Sequence, residues 1–224
     1  RIRLNHTATH LLQQALKMVM GDHVHQAGSH VGPDRLRFDL THFERIDIKE
    51  LSKIEDIVNS AIRNNTFLDI QVMSFDKARE DGAVALFGEK YGDEVRVVEV
   101  PGFSKELCGG THVERTGDIG AFKIVTESAL ASGVRRIEAI TGNAVIDLIH
   151  EQESIINNLK DLLKTSVDQI PERIDSILNE KKLMGKELSE FKKGSQKNQV
   201  EDLVRQSRVV NGIKVIVELL DEIG

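Results

Sequence analysis

Between residues 5 and 20, Ala8, Leu11, Leu12, Ala15, Leu16 and Val19 recur at steps of three and four, the spacing that lines one face of an α-helix. A helix over Asn5–Met20 is predicted, with Asn5 as its N-cap and Gly21 as its stop. The next stretch, HVHQAGSHVGPD, is rich in Gly and His and reads as a loop. RLRFDL, which follows it, alternates polar and apolar residues as a half-buried strand does. Leu51, Ile54, Ile57, Val58 and Ala61 form the inner stripe of a second helix, Ile48 to Asn64. Further strands are predicted over Ile70–Phe75, Val95–Val100, Ala121–Glu127 and Arg135–Ile140, separated by Gly-bearing turns. Helices and strands without strict alternation predict an α+β fold.

Near Thr141-Gly142-Asn143 the pattern changes. From Ala144 onward Gly and strand formers thin out, and Ile149, Ile155, Ile156, Leu159, Leu162, Leu163, Ile174, Ile177, Leu178, Leu183 and Leu188 suit two helices. The break is expected near Gln169-Ile170-Pro171, because proline disfavours helical backbone at the residue before it. The pair fits an antiparallel hairpin or a dimerising coiled coil, and the apolar spacing is too irregular to choose. Lys181, Lys182, Lys186, Lys192, Lys193 and Lys197 read as a solvated face. Asn211 to Val217 reads as a turn and a strand.

Composition narrows the class. With 224 residues, 40% of them hydrophobic and 29% charged, the chain can bury a real core, as one compact domain with an appendage. One cysteine excludes an internal disulfide, and no apolar run is long enough for a bilayer, so a cytoplasmic protein with no membrane partner is expected. A net charge of −6 requires any nucleic-acid partner to be held by a local basic patch, and 4% aromatic residues argue against a stacking platform for single strands. Beginning at Arg1 without Met, the sequence reads as a piece of a longer protein.

The chemistry concentrates in two short segments. NHTATH sets His6 and His10 one helical turn apart, so both imidazoles project from one face, which is half of a metal site. It is not the HExxH protease motif, since Thr7 stands where that motif carries its glutamate. ELCGGTH holds Cys108 four positions before His112, with Gly109 and Gly110 between. A Gly-Gly link folds back tightly enough to turn sulfur and nitrogen toward one centre. Three imidazoles and one thiolate are a borderline-soft donor set suited to Zn²⁺. Four protein ligands describe a closed structural site, whereas a catalytic zinc keeps a place for water. Either one ligand is displaced or the coordination expands, and the residues leave both open.

These segments carry a family resemblance. RIRLNHTATHLL, GSHVGPDRLRFD, GAVALFGEKYGDEVRVV, FSKELCGGTHVERTGDIGAFKI and GVRRIEAITG resemble the editing region of bacterial alanyl-tRNA synthetases, with LCGGTH and TGDIG the most specific. The resemblance implies a mixed sheet packed on helices, of the threonyl/alanyl-tRNA synthetase editing type, followed by an α-helical hairpin or coiled-coil extension. It divides the chain into an editing domain over 1–143, a helical linker over 144–208, and, with VNGIKVIVELL, the first strand of a C-terminal domain over 209–224. The implied activity is zinc-dependent hydrolysis of the ester in tRNA(Ala) carrying Ser or Gly, engaged through its acceptor end. Alanine ligation driven by ATP would belong to a region outside this sequence. A second site of this kind is needed because a pocket sized for Ala cannot exclude Gly, and one small group is worth only about 10 to 200-fold.

The resemblance maps His6, His10, Cys108 and His112 onto the metal ligands, with Cys108 also in the catalytic set. Thr9, between the first two, would meet the amino-acid moiety or a bound water, and Gln26 matches a pocket position that influences rejection of correctly charged tRNA. Arg135 and Arg136 are candidates for acceptor-stem phosphates. Asp39 and Glu106 are candidate bases, set against plainer roles: Asp39 paired with an arginine, Glu106 an exposed loop charge. His23, His25 and His30 share a loop and offer alternative metal donors. A homodimer through the C-terminal helices is also expected. The rival readings are a free-standing alanyl-tRNA editing protein, a threonine-type editing domain, a hydrolase of another small ester, and a non-catalytic zinc-stabilised module that binds tRNA or dimerises.

Overall fold

The structure, a computed structural model, describes residues 1–85, 91–205, 207–210 and 212–216. The first 152 residues and the remainder form two compact units, Arg1–Gln152 and Glu153–Gly224. In the first, helix α1 (Ile2–Met20) and helix α2 (Ile48–Arg63) pack together. Against them lies an antiparallel sheet in the order β1 (Gln26–Val31), β2 (Leu36–Thr41), β7 (Val134–Thr141), β6 (Phe122–Ala131). A second antiparallel sheet runs β3 (Asp69–Ser74), β4 (Glu94–Val100), β5 (Ser104–Leu107), with the short helix α3 (Phe75–Glu80) against it. One parallel bridge, Val84 to Glu106, extends that sheet past β5. The architecture is α+β, with antiparallel sheets packed on helices.

Alternation on β2 explains the core. Leu36, Phe38 and Leu40 point inward at 0% exposure and meet Leu11, Leu12 and Leu16 of α1, Ile54 and Val58 of α2, and Ile137 of β7. Each such side chain contributes about 1.5–3 kcal/mol on burial. Helix α2 starts where Asp47 accepts the Glu50 amide and the Glu50 carboxylate accepts the Asp47 amide, a reciprocal capping box.

Helix α1 departs from its predicted shape. It begins at Ile2, and Asn5 is not its cap: the Asn5 carboxamide donates to the Gly32 carbonyl at 2.8 Å and accepts from the Thr141 hydroxyl at 2.6 Å. Those two bonds tie the helix to the β1–β2 turn and to the end of β7. Gln26–Val31 is a strand and not a loop, because it pairs along β2 from Gln26↔Leu40 to Val31↔Leu36. Its lack of apolar alternation, with no fully buried residue, hid it from pattern reading. Helix α3 and strand β5 were likewise too short to announce themselves.

The TGDIG segment is a connector built for fit. Thr116, at 0% exposure, donates to the Ala61 carbonyl and accepts the Thr66 amide, pinning the end of α2. Asp118 accepts the Arg115 amide, and Gly120 turns the chain into β6 with φ +81°.

In the second unit, helix α4, which begins in the first unit and spans Asn143–Leu163, gives way at Lys164 (φ +51°) to a short turn and then to helix α5 (Ile170–Arg205). The break comes slightly before Pro171, which occupies the first turn of α5, where its missing N–H costs no bond. Beyond α5, β8 (Arg208–Val210) pairs with β9 (Ile213–Val215); Asn211 and Val217 of the predicted turn and strand lie outside the described residues. Among the described residues no helix is long and apolar enough to cross a membrane.

Thr116→Val keeps the volume but orphans the buried Ala61 carbonyl and the partly buried Thr66 amide. It should destabilise the first unit by about 1–3 kcal/mol, read as a lower urea midpoint with an unchanged slope.

Candidate metal centre

Strand β5 delivers the cysteine loop. Leu107 and Glu106, on opposite faces of β5, are both buried, at 2% and 6% exposure; Leu107 enters the core of the second sheet. Glu106 is therefore not the exposed loop charge expected from sequence. Its Oε2 lies 3.2 Å from His10 Nδ1, although the angle between them does not make a hydrogen bond. The next residue, Cys108, continues the ladder by donating its amide to the Arg96 carbonyl. The Arg96 side chain then donates from Nη1 to the carbonyls of Cys108 at 2.8 Å and Gly110 at 2.6 Å. One guanidinium thus sets the curvature of the loop.

The two glycines differ in purpose. Neither has a positive φ. A Cβ on Gly110 would sit inside the His6 ring, whereas one on Gly109 would meet nothing within 4 Å. Close approach to an imidazole, and not left-handed backbone, requires glycine at 110.

The fold brings His6, His10, Cys108 and His112 together, one ligand atom from each within 4.8 Å of all the others. Cys108 Sγ lies 3.4 Å from His6 Nε2 and 3.4 Å from His112 Nε2. The edge of a zinc tetrahedron with one sulfur and one nitrogen is about 3.6 Å. One imidazole is also held from behind, as metal-binding histidines are: His112 Nδ1 lies 3.1 Å from Thr7 Oγ1, while His10 Nδ1 faces Glu106 without a hydrogen bond. His10 and His112 are buried, while His6 and Cys108 are partly exposed, so the cluster opens on one side.

Electrostatics keep the donors in their ligating form. Burial, then the neighbouring His6 and Arg96, pushes His10 down to about 3. Burial, His10, His6 and Arg96 take His112 to about 2. Burial also lowers His6, against the Thr111 bond. Neutral imidazoles are what a metal requires. Burial raises Glu106 to about 8, partly offset by Lys17, so it faces His10 protonated at neutral pH. The donor set, its spacing and its neutral imidazoles fit Zn²⁺.

The remaining sequence candidates fall elsewhere. Thr9 is buried, and its hydroxyl donates to the Asn5 carbonyl of its own helix at 2.8 Å. Gln26 opens β1, donates to Ser29 Oγ, and borders a cavity of about 640 Å³ with Gln13, Lys17, His25 and Val84. Arg135 and Arg136 lie within β7, and both are paired: Arg135 with Glu127 at 2.6 Å, Arg136 with Asp39 through two bonds of 2.7 and 2.9 Å. Asp39 accordingly has the plainer of its two expected roles. His23 Nε2 lies 3.1 Å from His42 Nδ1, and among the described residues the one group of three or more metal donors contains neither His23, His25 nor His30. Thr7, Arg96 and Glu106 are the supporting residues that sequence reading missed or misjudged. Only their proximity to ligands in the folded chain reveals them.

Two outcomes are expected. Thr7→Val, which removes the oxygen behind His112, should weaken zinc binding by about 10 to 100-fold, measured by chelator competition. In chelator-treated protein, three imidazoles held neutral below their ordinary 6.5 make unfolding take up protons, so stability falls as pH drops below that value. Glu106, ordinarily 4.5 and here about 8, releases its proton on unfolding, so its contribution is lost as pH rises from 4.5 through 8. Between those ordinary values the histidines outweigh the carboxyl, and of these four groups only the carboxyl still acts above 6.5. Stability should therefore peak near about pH 6.5, and Glu106→Gln should flatten the alkaline limb of the urea-midpoint profile.

Comparison with known proteins places this geometry. Residues 95–138, which hold β4, β5 and the cysteine loop, match the family described as Threonyl and Alanyl tRNA synthetase second additional domain. The chain is 47% identical over 221 residues, 99% of its length, to the Alanine--tRNA ligase of Acetivibrio thermocellus, of which it covers 25%. It is 48% identical over 209 residues, 93% of its length, to the Alanine--tRNA ligase of Thermotoga maritima, and 48% over 211 residues, 94% of its length, to that of Thermotoga sp. strain RQ2, covering 24% of each. Spanning about a quarter of the length of the relatives it matches, the chain belongs to the alanine--tRNA ligase family and carries the second additional domain shared by threonyl and alanyl tRNA synthetases.

Proposed function

We propose that the chain hydrolyses the aminoacyl ester of tRNA(Ala) mischarged with Ser or Gly, and that residues 1–143 are the editing domain that does so. The observation that carries this reading is the His6, His10, Cys108, His112 cluster, open on one side and sharing the α1 face with a cavity large enough for a nucleotide. A fully closed tetrahedral site would serve structure; partly exposed His6 and Cys108 favour access by substrate. Zn²⁺ bound there would supply a Lewis acid for the ester.

The protein's own residues do the rest. His112 is held by Thr7, and His10 is buried against Glu106, so both rings are placed before substrate arrives. Arg96 fixes the loop that presents Cys108 and places a positive charge beside the cluster, where negative charge develops as the ester is attacked. Gln26, at the edge of the cavity, is proposed to take part in sparing Ala-tRNA(Ala), and Thr9 to shape the floor near the amino-acid moiety. Arg135 and Arg136 would meet the acceptor stem through the guanidinium edges that Glu127 and Asp39 leave unengaged. The alanine ligase activity of the relatives, with its use of ATP, is assigned to parts of those proteins that this chain does not span. Residues 144–208 and 209–224 are proposed as the linker and the start of a further domain. Ile155, Leu162, Leu178, Leu183 and Leu188, exposed on α4 and α5, support dimerisation through those helices.

The test is release of amino acid from Ser-tRNA(Ala), Gly-tRNA(Ala) and Ala-tRNA(Ala) by the zinc-loaded chain. Ser and Gly should be freed, Ala spared, and Cys108→Ala, verified as folded by circular dichroism, should be slower by about 100-fold or more. A zinc-bound chain that frees none of the three would overturn the proposal. If Cys108→Ala unfolds instead, a structural zinc becomes the better reading.

A further inference from the structure

Four polar side chains of α1 share one stripe. At 100° per residue, His6, His10, Gln13 and Lys17 fall within an arc of about 60°. The first two belong to the metal centre and the last two border the cavity. The cavity adjoins the centre through Val84, which lines it and bridges to Glu106, the carboxyl 3.2 Å from His10.

Gln13 is 5% exposed and lines the cavity, and its carboxamide, which forms no hydrogen bond among the described residues, is not one of the buried unpartnered atoms, so it stays open to the cavity. Such an amide can exchange cavity water for the groups of a ligand. Lys17, one turn further on, forms no ion pair among the described residues, although its charge is felt at the Glu106 carboxyl. Reading outward along the helix, the order is metal ligands, amide donor and acceptor, cation. From His10 to Gln13 the helix rises about 4.5 Å, and from Gln13 to Lys17 about 6 Å more. An aminoacylated terminal nucleotide presents its groups in the same order: the ester, the neighbouring ribose hydroxyl, the 5′-phosphate.

We infer that the cavity binds the terminal nucleotide of the substrate, with Gln13 positioning the ribose 2′-hydroxyl and Lys17 the 5′-phosphate. This rests on the hydrolytic reading for the identity of the substrate, but its geometry is independent of turnover. An amide offers the donor and acceptor a hydroxyl needs, and an ammonium on a flexible stem suits a phosphate as a point charge.

The test uses a ligand that cannot turn over, 3′-deoxy-3′-(L-serylamino)adenosine, with and without a 5′-phosphate, titrated calorimetrically into zinc-loaded protein. The phosphate should tighten binding to the wild type by about 10-fold. Lys17→Met should abolish that increment while leaving zinc content and affinity for the unphosphorylated compound unchanged, and Lys17→Arg should restore it. Gln13→Leu should weaken both compounds by about 10-fold and remove the penalty for replacing the 2′-hydroxyl with hydrogen. A phosphate increment that survives in Lys17→Met, or Gln13→Leu binding as the wild type does, would overturn the assignment. If wild type frees Ser from tRNA but binds neither compound, the nucleotide site falls and the hydrolytic reading stands. If it binds with a Lys17-dependent increment yet frees no Ser, the reverse holds.

Discussion

A single hydroxyl joins the two halves of the candidate metal centre. Thr7 Oγ1, 1% exposed, accepts the Val113 amide at 3.2 Å and lies 3.1 Å from His112 Nδ1. His6 and His10 belong to the first helix and Cys108 and His112 to a loop about a hundred residues later, so the cluster exists only if that loop is locked to α1. Thr7 does this from the helix side, and Arg96, gripping two carbonyls of the loop, does it from the sheet side. Both are buried or partly buried polar contacts whose loss would leave unpaired groups, which is why they fix position and not merely proximity.

That arrangement requires α1 to be buried on nearly every side. Its apolar stripe of Leu11, Leu12 and Leu16 fills the core, while Asn5, Thr7, Thr9, His10 and Gln13 are buried as well. A helix whose polar face is also covered must hydrogen-bond most of its polar groups. Asn5 finds Gly32 and Thr141, Thr7 finds the cysteine loop and Thr9 finds its own backbone, while His10 Nδ1 faces Glu106 without a hydrogen bond. Burial also explains the charge state of the centre. Removing water disfavours imidazolium and carboxylate alike, so the histidines stay neutral and Glu106 stays protonated where they meet.

Much of this was legible in the chain. The apolar periods of α1 and α2 and the alternation of β2, β3, β4, β6 and β7 placed most of the first unit to within a few residues. Pattern reading failed where no pattern exists. Strand β1 shows no apolar alternation because none of its residues is fully buried, and β5 is four residues long. The start of α1 was misplaced because Asn5, a favoured capping residue, is used for contacts 27 and 136 positions away.

The sequence by itself determined which groups were available for chemistry: two histidines a helical turn apart, and a cysteine and a histidine on a Gly-Gly loop, a donor set that suits a transition metal such as zinc. Residue identity and local spacing carry that information because ligand softness and helical pitch are local properties. Tertiary structure alone decided that the two pairs converge, that Gly110 is needed by the His6 ring, that Glu106 is buried against His10, and that Arg135 and Arg136 already have carboxylate partners. Each of these depends on which surfaces exclude water and which distant segments pack together, and no local spacing in the chain encodes that.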